Sequence, residues 1–451
     1  MTDRLSDPGR GSGGGGGLPC ACVPSMTKAY DYSGDVTIDR LSDMLVDECA
    51  RPTHGMTGSR FEFTLESFDG SFVHLGTMTL NCRFKVVGSG GAVLTSVSHK
   101  PGVVNSIVAS LWSSVTVKIN DQELNPLSAH HPGYKSVISS LLSYNRQGAK
   151  HLVPGGFRLE NGEHNGTLSD AYTQFAGWQA KLKESGEVSV AGPLPLDICS
   201  LDNVLAPGTK LEIILEPAAE AFRLLCTSDS AQLKISFQDM FLEYRRLRLP
   251  ASVLGDLLPS RRGATHRYVG PYTHVSAHEV PKGATMHVVP VYPEGHVLPK
   301  QVIVAQVPTA NFRGTLSTNP YVFPHNSVNH LALRIDGVVA TNSELTPDFD
   351  NHKVAREYYR LFTQTGKRAS TSQGVLLTED NFVNNHALFP FDLTPDECNS
   401  RHLHLSKTGQ LDVEMRWKTA LEDNIVVLVL ATFDQVIVID GETGALRSKL
   451  F

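Results

Sequence analysis

The fold is decided by the stretch Val115-Thr-Val-Lys-Ile-Asn120 and by the run Tyr134-Lys-Ser-Val-Ile-Ser-Ser-Leu-Leu142, which follows it after a polar loop. Roughly 200 residues later the chain repeats this pattern as Leu331-Ala-Leu-Arg-Ile-Asp336 and Val354-Ala-Arg-Glu-Tyr-Tyr-Arg-Leu-Phe362. The first member of each pair alternates apolar and polar residues, which is typical of a strand. The second spaces its apolar residues three and four apart, which is typical of a helix.

Two further features recur in the same order. The segment Pro195-Leu-Asp-Ile198 precedes Gly208-Thr-Lys-Leu-Glu-Ile-Ile-Leu-Glu216, and Phe391-Asp-Leu-Thr-Pro395 precedes Gly409-Gln-Leu-Asp-Val-Glu-Met415. Chance could supply one or two such matches, but an ordered set of four is better explained by duplication. The sequence therefore predicts a duplicated β-domain, an architecture used for assembly more often than for catalysis.

Length and charge narrow the classes of function. A chain of 451 residues is too long for one ordinary core and suits two domains of about 200 residues each. Its 46 acidic and 40 basic side chains give a net charge of −6, so we predict no specific nucleic-acid site.

The longest apolar run, residues 425–431, is far shorter than the ~20 residues of a membrane helix. We therefore expect no membrane span, and the first residues lack the apolar region of a secretory signal.

The cysteines indicate neither a disulfide framework nor a zinc site. The chain has seven, without a Cys-x-x-Cys pair: Cys20, Cys22, Cys49, Cys82, Cys199, Cys226 and Cys398. Cys20 and Cys22 could serve in metal or redox chemistry, but a pair of free thiols is the favoured interpretation. Such scattered cysteine usage fits a reducing compartment.

Residues 1–60 are predicted to form a flexible N-terminal arm, because the glycine run at residues 13–17 cannot bury enough apolar surface to offset its ordering entropy. Four aspartates recur every four residues within it, with apolar residues between them: Asp35, Asp39, Asp43 and Asp47. This spacing predicts a short acidic amphipathic helix, packed either on its own domain or on a neighbouring subunit. The arm holds six Lys/Arg and eight Asp/Glu, so we expect it not to bind a genome.

From residue 61 the apolar period changes to two. Phe61-Glu-Phe-Thr-Leu-Glu66 alternates strictly and residues 73–86 continue the alternation, which indicates antiparallel sheet. Residues 250–271 lack periodicity and are rich in Pro, Gly and Arg, so we interpret them as a linker. The chain is thus predicted to be all-β, with one sandwich at residues 61–249 and another at 272–451. Each is expected to carry one short helix at the same place.

The tryptophans divide into two groups. Trp112 and Trp417 lie in strand-like segments and are expected to pack in the sandwich cores. Trp178 lies in a predicted loop and is a candidate interface anchor. The predicted loops at residues 145–180 and 363–385 can vary in length without disturbing the sheets.

A family resemblance extends over residues 61–451. In the first half it is carried by Leu111-Trp-Ser-Ser-Val-Thr-Val-Lys-Ile-Asn120, Tyr134 and Leu141-Leu-Ser-Tyr144. In the second half it is carried by Leu298-Pro-Lys300, Asn311-Phe-Arg-Gly314, Asn319-Pro-Tyr-Val-Phe323, Pro347-Asp-Phe349 and Phe391-Asp-Leu-Thr-Pro-Asp396. These motifs resemble the major capsid proteins of Polinton/Maverick elements and adintoviruses, a group related to adenovirus hexon and to adomavirus capsid proteins.

The resemblance implies a structural protein with two tandem eight-stranded jelly rolls. Three chains would form a pseudo-hexagonal capsomer, and capsomers would tile an icosahedral shell around double-stranded DNA. Its partners would be further copies of itself together with penton and minor capsid proteins. The family also implies a virion location, with synthesis in the host cytosol and assembly in the nucleus.

Motifs for catalysis are missing from the sequence. There is no phosphate-binding loop, no Gly-x-Ser-x-Gly elbow and no His-Glu-x-x-His. The candidate reactive side chains are His130 with His131, His274 with His278, His402 with His404, and Asp197 with Asp392. The histidines lack a helical ligand pattern, and the aspartates precede turns, where Asp commonly caps the backbone. We therefore predict no catalytic, cofactor-binding or metal-binding residues and no enzyme.

Two other functions stay open at this stage. One is a penton-type or minor capsid protein, although such proteins usually carry a single jelly roll. The other is a carbohydrate-binding module or carbohydrate-active enzyme built from two sandwiches. The second alternative needs a cleft with convergent carboxylates or aromatic rings, which distant residues could still assemble.

Overall fold

The computed structural model describes residues 45–53, 55–56, 58–66, 71–94, 101–124, 130–158, 173–201, 204–227, 232–249, 265–291, 297–340, 342–367, 374–394 and 407–451. These residues form two consecutive antiparallel β-sandwiches. The predicted arm lies outside the described residues up to residue 44.

The first sandwich follows from the alternating pattern of its strands. In Phe61–Glu66 the side chains of Phe61, Phe63 and Leu65 are buried, while those between them are partly exposed. Its strands are β1 Leu45–Ala50, β2 Phe61–Glu66, β3 Phe72–Val87, β4 Gly102–Val103, β5 Trp112–Ile119, β6 Gln122–Leu124, β7 Val188–Gly192, β8 Lys210–Pro217, β9 Leu224–Leu225 and β10 Lys234–Leu247. One sheet has the order β1-β10-β3-β7 and the other the order β2-β8-β5-β6, while β4 and β9 pair separately.

The second sandwich repeats this wiring. Its strands are β11 His266–Val280, β12 Met286–Pro290, β13 Gln301–Pro308, β14 Val328–Ile335, β15 Val338–Val339, β16 Phe389–Asp392, β17 Leu411–Trp417, β18 Ile425–Ile439 and β19 Leu446–Leu450. The sheets run β11-β18-β13-β16 and β12-β17-β14-β15, and β19 pairs with β18. In the first sandwich β1 pairs with β10 and β2 with β8, and in the second β11 pairs with β18 and β12 with β17. This connectivity is typical of a jelly roll. The predicted fold of two tandem jelly rolls is confirmed.

The helices also support the duplication. They are α1 Ile107–Ser110, α2 Pro132–Ser143, α3 Thr173–Leu182, α4 Glu220–Arg223, α5 Thr309–Arg313, α6 Ala355–Thr363 and α7 Glu379–Asn384. Helix α2 lies between β6 and β7, and α6 lies between β15 and β16, so they occupy the same place in each repeat, as predicted. Helix α3 overlaps the predicted loop at residues 145–180, and α7 lies inside the predicted loop at residues 363–385.

The predicted acidic helix is wrong over its described part, because residues 45–50 form the edge strand β1. This strand pairs antiparallel with β10, Leu45 opposite Leu247. Asp47 binds Arg245 at 2.8 Å and Glu48 binds Arg246 at 2.9 Å across the pair. These partners lie about 200 residues away in sequence, so cross-strand pairing overrides the local spacing. The remainder of the predicted helix lies outside the described residues.

The boundaries of the jelly rolls differ from the predicted ones in two places. Strand β1 belongs to a sheet of the first jelly roll although it lies before residue 61. Strand β11 begins at His266, inside the predicted linker at 250–271, because its residues pair along the whole of β18. The described part of β18 is a central strand, as expected for the apolar run at 425–431.

Candidate functional site

The contact surface between the two jelly rolls, called here the seam, is built around the ring of Tyr134. This ring stacks on Phe312 of the second jelly roll, with centroids 5.7 Å apart and an interplanar angle of 21°. It meets the edge of Tyr321 at 5.3 Å and lies 5.8 Å from Phe222. Tyr134 is 1% exposed, and each such aromatic pair adds about 0.5–1.5 kcal/mol beyond burial. Most of the buried apolar side chains of the two jelly rolls form one contiguous cluster.

Hydrogen bonds cross the seam beside these rings. The hydroxyls of Ser110 and Tyr321 lie 2.5 Å apart. The backbone N–H of Cys226 donates to the carbonyl oxygen of Leu316 at 2.6 Å. Since buried polar groups need partners, these bonds fix how the two halves sit against each other.

Two glycines permit close backbone approach at the seam. A Cβ on Gly133, in the first turn of α2, would collide with the hydroxyl of Tyr321. Gly314 has a φ of +90°, and a Cβ there would lie 2.7 Å from the Cα of Phe222. A larger residue at either position would require atoms of the seam to move.

A partly buried ion pair adds an electrostatic contact. The ammonium of Lys135 lies 2.7 Å from Asp197, and the two side chains are only 11% and 13% exposed. The same carboxylate accepts a hydrogen bond from the backbone N–H of Thr273 at 3.0 Å. Thr273 belongs to β11, so Asp197 joins the two jelly rolls. The sequence instead predicts that Asp197 caps its own turn, and this prediction is wrong. Asp392 does cap locally, accepting from the N–H of Thr394 at 2.8 Å.

The turn between β5 and β6 contacts the hairpin formed by β18 and β19, which is called here the C-terminal hairpin of the second jelly roll. The side-chain amide of Asn120 donates to the carbonyl oxygen of Gly444 at 2.9 Å. The N–H of Leu446 donates to the side-chain oxygen of Gln122 at 2.9 Å. The seam therefore extends from the helices to this turn.

His131 lies in the seam, where its ring packs 5.2 Å from that of Phe312. Burial, with smaller contributions from the charges of His130 and His274, lowers the pKa of His131 to about 4. The imidazole is therefore neutral at pH 7, and protonating it places a charge in an apolar contact.

Acidification from pH 7 to pH 5 is expected to destabilise the wild-type protein about 2 kcal/mol more than the His131→Asn variant. The folded pKa of about 4 lies below the ordinary value of 6.5, so between these values only the unfolded chain binds the proton. Stability is therefore lost as the pH falls through this window. Asparagine does not titrate and tolerates the left-handed φ of 57° at this position. Urea unfolding of both proteins at both pH values measures the difference, and an equal effect of pH on the two would contradict it.

The other histidines offer no metal site in the part of the chain that the structure describes. His274 and His278 lie on strand β11, and His278 contacts the hydroxyl of Ser276 at 3.0 Å. Among the described residues no group of three His, Cys, Asp or Glu side chains could hold a metal ion. His402 and His404 lie outside those residues. Cys49, Cys82, Cys199 and Cys226 are free thiols.

One surface hollow in the described part of the chain can be compared with the cleft that a carbohydrate-active protein would need. Its lining includes Asp348, Phe349, Asp350 and Lys418. Asp350 binds Lys418 at 2.5 Å. Hydrogen bonds from Asn351 lower the pKa of Asp348, whereas a glycosidase acid needs a raised pKa. The hollow therefore does not favour glycoside chemistry.

The tryptophans are all buried. Trp112 is 1% exposed and Trp417 is 3% exposed, which confirms their predicted place in the cores. Trp178 is 7% exposed and belongs to helix α3, so its predicted place in a loop is wrong. Among the described residues, no helix combines the length and apolarity needed to cross a membrane.

Three solved structures resemble the whole arrangement. The crystal structure of the mavirus major capsid protein matches with a TM-score of 0.52 and 10% identity, covering 100% of this chain and 97% of that one. A quasi-atomic model of the PBCV-1 virus capsid matches with a TM-score of 0.51 and 10% identity, covering 89% and 96%. The Faustovirus major capsid protein matches with a TM-score of 0.52 and 7% identity, covering 87% and 90%.

Sequence comparison alone finds no such relationship. No family model matches the chain, and no curated protein matches it. With identities of 10% or less, the likeness lies in the fold and not in the sequence. The chain has the double jelly-roll fold found in major capsid proteins of viruses.

Proposed function

We propose that the protein is a structural major capsid protein and not an enzyme, and that it trimerises into pseudo-hexagonal capsomers of an icosahedral shell. The observation that carries this proposal is the repeated jelly roll joined by a built seam. Aromatic packing, a partly buried ion pair and a backbone hydrogen bond hold the two halves in one orientation. A rigid pair of similar domains is what a shell subunit requires.

Symmetry supports the trimer. One chain offers two similar domains, so three chains in a closed ring present six similar outer faces. Six similar faces fit a hexagonal lattice, although the ring itself has only three-fold symmetry. Neighbouring capsomers can then use almost the same contacts in every direction.

The finer parts of the proposal follow from the family resemblance. The shell would enclose double-stranded DNA and would include penton and minor capsid proteins. The chain would be made in the host cytosol, with assembly in the nucleus, and would belong with the Polinton/Maverick and adintovirus proteins. The net charge of −6 fits a shell whose wall does not itself attract nucleic acid.

The mass of the purified protein in solution, together with electron microscopy, tests the proposal. We expect a particle with three times the mass of the chain and, under assembly conditions, closed shells. A stable monomer under all conditions would contradict the proposal. Five-fold rings would instead favour a penton-type protein, and binding on a glycan array would favour the carbohydrate-binding alternative.

A further inference from the structure

The β14–β15 hairpin of the second jelly roll is the structural equivalent of the β5–β6 hairpin of the first. The turn residues Asn120 and Asp121 have φ values of 49° and 64°, and Asp336 and Gly337 have values of 51° and 80°. Two consecutive positive values match the tight turn typical of two-residue hairpins.

The hydrogen bonds of the two turns are also the same. The side-chain oxygen of Asn120 accepts from the N–H of Lys210 at 2.9 Å, and that of Asp336 accepts from the N–H of Gln410 at 2.9 Å. The N–H of Asn120 and of Asp336 each donate back to the carbonyl oxygen of the same partner at 2.9 Å. The two hairpins therefore align residue by residue, and Val338 in the second repeat is the equivalent of Gln122 in the first.

The surroundings of the two hairpins differ sharply. In the first jelly roll, Asn120 and Gln122 bind the C-terminal hairpin across the seam. In the second, Val338 is 70% exposed and Val339 is 40% exposed. Val338 is the most exposed large apolar side chain among the described residues. Adjacent exposed apolar residues at a position whose repeat is in contact indicate a contact that one chain alone does not make.

The equivalent helices show the same difference. Pro132, Gly133 and Lys135 in the first turn of α2 are buried, Gly133 directly against Tyr321 of the second jelly roll. The matching residues of α6 lie 220 positions later, because Tyr134 and Val354 begin the same apolar stripe. All three matching residues, His352, Lys353 and Ala355, are exposed.

We infer that the tip of the β14–β15 hairpin and the first turn of α6 bind the first jelly roll of a second copy of this chain, in the way that their repeats bind the second jelly roll within one chain. This inference rests on the proposed function and names the surface that closes the trimer. The contact is head-to-tail, which generates a ring when the rotation closes. Because only another first jelly roll carries the complementary repeat surface, the partner is a second copy.

The complementary surface on the first jelly roll includes residues 88–94, which directly follow β3. Its repeat, the segment after β13, supplies Phe312 and Tyr321 to the seam. Val93 in the segment after β3 is 68% exposed, which makes it the expected apolar contact of the neighbouring chain. An apolar residue is thus exposed on each side of the inferred contact.

The double variant Val338→Asp/Val339→Asp tests the inference in the full-length protein. We expect its trimer to dissociate at protein concentrations about thirtyfold higher than the wild type, since two carboxylates would be buried in an apolar contact. The control is Val288→Asp, an exposed valine on β12 of the same jelly roll, 43% exposed, which should leave the trimer unchanged. Mass in solution over a dilution series, with circular dichroism to confirm folding, gives the result.

The possible outcomes separate the two proposals. A wild-type protein that never trimerises overturns the proposed function. If the wild-type protein forms a trimer and the folded double variant dissociates at the same concentration as the wild type, this inference alone is overturned. If the double variant fails to fold, Val93→Asp on the complementary surface decides, because it should weaken the trimer by a similar factor and an unaffected trimer would overturn the inference.

Discussion

Replacing Tyr134 with alanine is expected to lower the free energy of unfolding by about 4 kcal/mol, since a buried aromatic side chain is removed and a cavity is left. The ring contacts Phe312 and Tyr321 of the other jelly roll, so the loss falls on the seam. Urea unfolding followed by circular dichroism measures the change. We also expect the two jelly rolls to unfold less cooperatively than in the wild-type protein, because they would no longer stabilise each other.

Two other tyrosine variants serve as controls. Among the described residues the hydroxyl of Tyr134 has no hydrogen-bond partner, so Tyr134→Phe should be neutral or stabilising by up to about 1 kcal/mol. Tyr359 on α6 is 56% exposed, and Tyr359→Ala should change stability by less than about 0.5 kcal/mol. If Tyr134→Ala were no worse than Tyr359→Ala, the seam would not hold the jelly rolls together.

Replacing Asp197 with alanine is expected to cost about 3–5 kcal/mol, because the ammonium of Lys135 stays buried without its partner. The backbone N–H of Thr273 loses its acceptor as well. Chemical denaturation gives the value. The matched control is Glu187→Ala, which breaks an exposed ion pair with Arg83 and should cost less than about 1 kcal/mol.

A double variant distinguishes the effect of the unpaired Lys135 charge from the effect of lost packing. In the Lys135→Met/Asp197→Ala protein both charges of this pair are removed, so most of the lost stability should return. If the double variant is as unstable as Asp197→Ala alone, the ion pair does not explain the effect. The hydrogen bond to Thr273 would then be the important contact.

The sequence predicts the parts of the fold that repeat and alternate. The strand Val115-Thr-Val-Lys-Ile-Asn120 and the helix after it recur with the same spacing, so the duplicated jelly roll can be read from the residues. Strand β1 cannot, because Asp47 and Glu48 find their partners at Arg245 and Arg246 only once the sheet has formed. Local periodicity of four predicts a helix there instead.

The contacts of the seam cannot be predicted from the sequence for a similar reason. Asp197 was expected to cap its own turn, and nothing near it in sequence indicates Lys135 or Thr273 as partners. One signal was available in the aligned repeats. Where the first hairpin has the polar Gln122, the second has the apolar Val338, and this difference is the signal in the sequence for the inferred contact with a second copy.

A three-dimensional reconstruction of the purified oligomer by cryo-electron microscopy tests the central claim most directly. We predict three copies around a three-fold axis, with six jelly rolls in a ring and each β14–β15 hairpin against the first jelly roll of the next chain. A five-fold ring, or an open chain of copies without closure, would contradict the claim.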